Sequence, residues 1–383
     1  MNSRERLELS LNHKEPDMIP IDIGASLITG INKMAYNKLI EYLGMEKEEN
    51  PMFDVVQQLV TPSRSFLEKF EIDVWNVSPS NPRNWRLEIK QEGDYNTFVD
   101  DWGIKWKMPV EGGHYFDMAT HPLEDAQRKT DVLRHRFPDA LDDVRYTGMR
   151  ERAQKLYDAG KGILVSSISA GIFELGTWLM GYESFLSDLA FGGEAALKVL
   201  DKALDIKLQY WDRVLDETGD LIQVVQEADD LGTQNSLIIS PSLYRKYIKP
   251  LHKELFSFIH SKTKAKIFLH CCGSIIDLIP DLIEVGLDII NPVQFNAARM
   301  DAANLKKTFG KDLTFWGGGV DTQKILPFGT PQEVSDNVKR QIEILAPGGG
   351  FVFNTVHNIQ SDVPPENLMA MFETFKQYRM YKA

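Results

Sequence analysis

The sequence predicts an α/β fold: a single (β/α)8 TIM barrel over residues 1–383, with an insertion between its second and third strands. Three observations predict it. Eight short β-branched or apolar runs recur along the chain, each closed by small or polar residues. They are almost continuously apolar, as parallel strands covered on both faces must be. Most are followed by stretches of helical spacing that suit right-handed crossovers, and eight such units suggest a closed barrel.

In chain order the runs are Ile19–Ala25, Ile72–Ser78, Gly162–Ile168, Leu221–Glu227, Ala265–Cys271, Leu287–Phe295, Asp312–Gly319 and Gly350–His357. The long interval after the second run contains Thr97–Asp125, which reads as aromatic-rich hairpins followed by a loop. Its aromatic stripe, Trp102, Trp106, Tyr115 and Phe116, reads as packing. From Glu183 to Glu217 apolar residues recur at helical spacing, so this stretch is expected as helices outside the barrel. Pro364 and Pro365 precede ENLMAMFETFKQY, the pattern of a last amphipathic helix with proline in its first turn.

Composition narrows the function. With 43% hydrophobic and 26% charged residues the chain reads as globular, and no apolar run approaches the roughly 20 residues that cross a bilayer. The charged N-terminus, MNSRERLELSLNHKEP, lacks the apolar stretch of a secretory signal, so a cytoplasmic protein is expected. A formal net charge of -12 argues against nucleic acid as a partner. The two cysteines, Cys271 and Cys272, are adjacent, and a disulfide between neighbours strains the peptide, so they are read as thiols.

In a barrel of this kind functional groups cluster just past the C-terminal ends of the strands. That rule selects Glu227, Asp229 and Asp230 after the fourth run, and His270, Cys271 and Cys272 after the fifth. It adds Gln294 and Asn296 after the sixth, Gly317 to Gly319 and Asp321 after the seventh, and His357 and Asn358 after the eighth. Side chains alternate along a strand, so His270 and Cys272 share a face and Cys271 takes the other. Imidazole and thiolate suit zinc, with His357 as a third ligand and Glu227 or a water completing four. The competing reading makes both cysteines core residues and His270 a hydrogen-bonded barrel histidine. For the three carboxylates it is helix capping. The three glycines match neither a Walker loop nor a dinucleotide fingerprint, so they are read as permitting close backbone approach by a bulky ligand.

The stretches RERLELSLNHKEPDMIPIDIG, SPSLYRKYIKPLHKELFSFIH, IFLHCCGSI, WGGGVD, GFVFNTVHNI and PPENLMAMFE together resemble the uroporphyrinogen decarboxylase superfamily, over most of the chain. That superfamily includes decarboxylases and zinc-dependent corrinoid methyltransferases, and the resemblance implies a single (β/α)8 barrel. The decarboxylases carry arginines after the first strand, yet the matching GASLITGINKMAY has none. Their pyrrole-binding aspartate falls at about Ser80, and their pocket tyrosine near Trp178. The methyltransferase branch is similar at His270-x-Cys272, although its usual third cysteine is replaced by His357.

The resemblance therefore implies a methyltransferase with zinc on His270, Cys272 and His357. Glu227, Asp229 and Asp230 are its expected catalytic carboxylates, and Gln294, Gly318, Asp321 and Asn358 its expected substrate-binding residues. It implies a corrinoid (cobalamin) as methyl carrier, on a corrinoid protein partner, a small-molecule substrate, and either a monomer or a homodimer. The alternatives are decarboxylation of a tetrapyrrole and a non-catalytic tetrapyrrole or corrinoid binder.

Overall fold

The computed structural model describes residues 1–381. Seven parallel strands form one curled sheet: β1 (Val74–Asn76), β2 (Gly162–Ser166), β3 (Val224–Ala228), β4 (Lys266–His270), β5 (Ile289–Asn291), β6 (Thr314–Trp316) and β7 (Phe351–Val352). Spatial order follows chain order, as successive right-handed crossovers require. Each strand lies inside one of the apolar runs, except that β3 extends one residue past its run, to Ala228.

The remaining run, Ile19–Ala25, makes a single parallel bridge, Ile21 to Phe353. Pro20 has no amide hydrogen, and the Asp22 carboxylate accepts from Ala25 N at 3.0 Å, so the chain turns away after one ladder step. The segment still closes the gap between the outer strands. Phe353 N donates to Pro20 O at 2.8 Å on one side, and Asp73 N donates to Ile21 O at 2.9 Å on the other.

Side-chain alternation divides the core in two. Val74, Leu164, Val224, Phe268, Ile289, Trp316 and Val352 point inward and fill the barrel, joined from below by Leu7 and Leu11 of the N-terminal helix. Residues one position along, such as Ile163, Val225, Ile267 and Leu269, point outward into the helical layer. Two helices of that layer bear on the site: α1 (Ile172–Met180) follows β2, and α2 (Glu194–Thr218) precedes β3.

Between β1 and β2 lies a four-stranded antiparallel sheet of Lys90–Glu92, Tyr95–Val99, Lys105–Pro109 and Asp117–Met118. Phe98, Trp106 and Phe116 pack together on it, and the Trp106 ring meets Trp178 of α1 edge-on at 5.5 Å. The sheet thereby braces the helix that begins at the barrel mouth. Among the described residues no helix is long and apolar enough to cross a membrane.

Candidate metal centre at the barrel mouth

Phe268 of β4 belongs to the inner core, so His270, two residues on, also faces the interior at the strand's exit. Its ring is fixed by β5. His270 Nδ1 lies 2.6 Å from Asn291 Oδ1, while Asn291 Nδ2 donates to Trp316 O at 2.9 Å. That second bond orients the amide, so its oxygen must meet a protonated Nδ1, leaving Nε2 as a bare lone pair. His270 Nε2 stands 3.3 Å from Cys272 Sγ, near the roughly 3.5 Å separating nitrogen and sulfur ligands on one tetrahedral zinc ion. His357 enters from beyond β7, and the ligand atoms of His270, Cys272 and His357 all lie within 4.8 Å of one another.

Loop packing sets the cysteine's position. A Cβ on Gly232 would come within 2.7 Å of Cys272 O, and one on Gly273, where φ is +89°, within 2.5 Å of Thr233 O. Glycine at both places lets the loops after β3 and β4 touch. Asp230 Oδ1 then accepts from Cys272 N at 2.7 Å, and Gln294 Oε1 accepts from Gly273 N at 2.7 Å. Cys271 turns outward, is 1% exposed, and its sulfur accepts from Leu231 N at 3.4 Å. The paired thiols therefore have different surroundings: one is a core residue and the other faces the mouth.

The electrostatics fit a cation. Burial, and then the neighbouring His270, push His357 down to about 3, so at neutral pH it is an uncharged imidazole with a lone pair to give. Burial, then Asp230 and Glu174, push the Cys272 thiol well above its usual range. A divalent ion would reverse that preference by stabilising the thiolate, so two imidazoles and one thiol among carboxylates fit zinc by donor chemistry.

The other sequence-selected residues fall elsewhere. Glu227 points outward, 1% exposed. It accepts from Lys207 Nζ of α2 at 2.6 Å, from Trp211 Nε1 at 2.5 Å and from Ser167 Oγ at 2.9 Å. Asp229, also outward, accepts from Phe173 N and Glu174 N at the start of α1, with His252 Nε2 2.8 Å away. Only Asp230 of the three reaches the cluster, 3.8 Å from His270 Nε2.

The polar groups of the expected substrate contacts are engaged within the chain. Gln294 holds Gly273 and Gln234. Asp321 accepts from Gln323 N and Lys324 N. Asn358 ties Gly30, Leu27 and Gln57 together. At Gly318, with φ +77°, the close neighbour is Val293, 2.6 Å from where a Cβ would stand.

Four residues that sequence reasoning passed over join the mouth or support it: Asn291, Glu174, Ser166 and Gln226. Glu174 reads as a helix-capping acid, and its carboxylate does accept from Gly171 N at 3.0 Å. Burial, followed by Asp230 and Asp229, raises it well above the usual carboxylate range. Ser166 and Gln226 are polar residues in largely apolar strands, and the fold is what shows that both point inward.

A sequence profile described as uroporphyrinogen decarboxylase (URO-D) matches residues 100–378. The chain belongs to the uroporphyrinogen decarboxylase family. Among curated proteins none matches it. Among solved structures, a methyltransferase from Methanosarcina mazei superposes with a TM-score of 0.62 at 17% identity, covering 99% of each chain. A β-glycosidase from Thermosphaera aggregans gives 0.40 at 10% identity, covering 83% of this chain and 84% of that one. The first likeness is one of fold, and this uroporphyrinogen decarboxylase family member shares its barrel architecture.

Proposed function

We propose that the protein is a cytoplasmic zinc-dependent methyltransferase. It moves a methyl group between a corrinoid, presented by a partner protein, and a small thiol or a methylated or methoxylated compound. The observation that carries this reading is the convergence of His270, Cys272 and His357 from two distant parts of the chain, with ligand atoms within 4.8 Å. The fold shared with the Methanosarcina mazei methyltransferase is consistent with it. Bound zinc would supply Lewis acidity, lowering the pKa of a coordinated thiol or hydroxyl so that it is deprotonated at neutral pH.

The chain's own residues do the rest. Asn291 holds His270 in the tautomer that leaves Nε2 free to ligate a metal ion. His357 stays uncharged and so does not repel it. Asp230 fixes the Cys272 backbone. Burial, then Asp230 and Asp229, favour the protonated form of the Glu174 carboxyl at the rim. Tetrapyrrole decarboxylation, the reaction in the family's name, lacks its anchors here: residues 24–36 contain no arginine for the substrate's carboxylates.

Metal analysis of the purified protein beside His270→Ala and Cys272→Ser tests the proposal. The expected result is about one zinc per wild-type chain and little in either variant. Equal metal in all three removes the mechanism. Conversion of uroporphyrinogen to coproporphyrinogen would replace it with decarboxylation.

A further inference from the structure

We infer that the barrel floor beneath the metal ligands is a binding site for an uncharged polar group of the substrate, a hydroxyl or ether oxygen, recognised by Ser166 and Gln226. The inference relies on the methyltransferase reading for what reacts there, but not for what binds.

Ser166 and Gln226 sit directly opposite each other in the β2–β3 pairing. Each lies two residues after an inner-core residue, Leu164 and Val224, so both point into the barrel one layer nearer the mouth. They are 7% and 4% exposed, yet Ser166 Oγ and Gln226 Oε1 have no hydrogen-bond partner in the protein. Other inward polar groups nearby are engaged: Asn76 donates to Ala25 O, and Asn291 spans Trp316 and His270. Burying a hydroxyl and an amide oxygen without partners destabilises a fold, and such pairs persist where a ligand completes them.

Position sets the ligand's size. Gln226 is on the strand next to His270, which pairs with Ala228 two residues further on. Strand geometry then puts the Gln226 and His270 backbones about 8 Å apart, so a ligand that touches Gln226 and reaches the metal ligands needs only a few heavy atoms.

Charge sets its class. A hydroxyl and a carboxamide offer both donors and acceptors and carry no formal charge. At the rim Asp230 stands 3.8 Å from His270 Nε2. A carboxylate, sulfonate or phosphate would meet this acid without the arginine or lysine that anion sites use. A thiol with an alcohol tail, or a methoxylated alcohol, meets no such barrier.

The test measures Kd by ligand-observed NMR titration with 2-mercaptoethanol, 2-mercaptoethanesulfonate and 2-methoxyethanol. The alcohol thiol is expected to bind at least about tenfold more tightly than the sulfonate. Ser166→Ala and Gln226→Leu should each weaken the two neutral probes about tenfold. Both variants should keep the wild-type zinc content and match or exceed its Tm, since each removes an unpartnered buried atom. Equal or tighter binding of the sulfonate overturns the inference, as does a lowered Tm in Gln226→Leu with unchanged binding. A protein without zinc would remove the methyltransferase reading, while 2-methoxyethanol, which has no thiol, would still decide the floor.

Discussion

The two faces of the strand ends at the barrel mouth contrast sharply in how their polar groups are used. On the outward face Glu227 is enclosed by Lys207, Trp211 and Ser167, and Asp229 by the first turn of α1 and His252. On the inward face the ligand atoms of His270, Cys272 and His357 converge within 4.8 Å of one another, and Ser166 and Gln226 keep unpartnered atoms. One residue of strand alternation separates the two conditions. Nearness in sequence to the metal motif's level of the barrel therefore says little about a carboxylate's role; the direction of its Cβ decides it.

The largest effect that probes this contrast comes from the closed face. Lys207 and Glu227 are 0% and 2% exposed in their side chains, so Lys207→Met leaves a buried carboxylate without its counter-charge. A loss of about 3–5 kcal/mol in chemical denaturation is expected, and the double variant with Glu227→Leu should recover most of it. Zinc content under native conditions should not change. If zinc is lost while the variant remains folded, the two faces are coupled and the division fails.

Asn291→Leu probes the open face. Without the amide, His270 can rotate and either ring nitrogen can carry the proton, so zinc affinity should fall by about 10–100-fold in competition with a chelator. The metal-free variant should also lose about 1–3 kcal/mol of stability, because Trp316 O and the His270 Nδ1 proton lose their buried partner, so the affinity is read on protein kept folded. Unchanged affinity would mean that the ring is oriented by something other than β5.

Much of this was legible in the sequence. Continuous apolarity marked seven strands correctly, since burial on both faces is a local property. Pro20 was the visible warning that the first run could not form a full ladder. His270-x-Cys272 was readable because period-two alternation at a strand exit needs no distant information. The carboxylates were less so: in a parallel strand both faces are apolar, so nothing local says whether Val224 or Val225 points inward, and the assignment of Glu227 turns on that. Asn291 and Glu174 approach the site only through barrel closure and the crossover after β2, contacts made across many residues of chain.

A smaller effect separates two inward-facing environments, the candidate metal cluster and Asp22. Asp22 is fully buried and accepts from Ala25 N and Trp316 Nε1, with no cation beside it. Burial, against the pull of these donors and Thr29, raises its pKa from 3.8 to about 7. Here the folded state holds a proton that the unfolded state has already released between pH 4 and 7, so stability falls as pH rises through that window. From pH 6 to pH 8 the single group accounts for about 1 kcal/mol. Thermal unfolding of the chelator-treated protein should show this decline, and Asp22→Asn, which carries no titrating group, should flatten it. A decline of the same steepness in the variant would assign the pH response to other groups, with the thiol of Cys272 and its neighbouring carboxylates as the next to test.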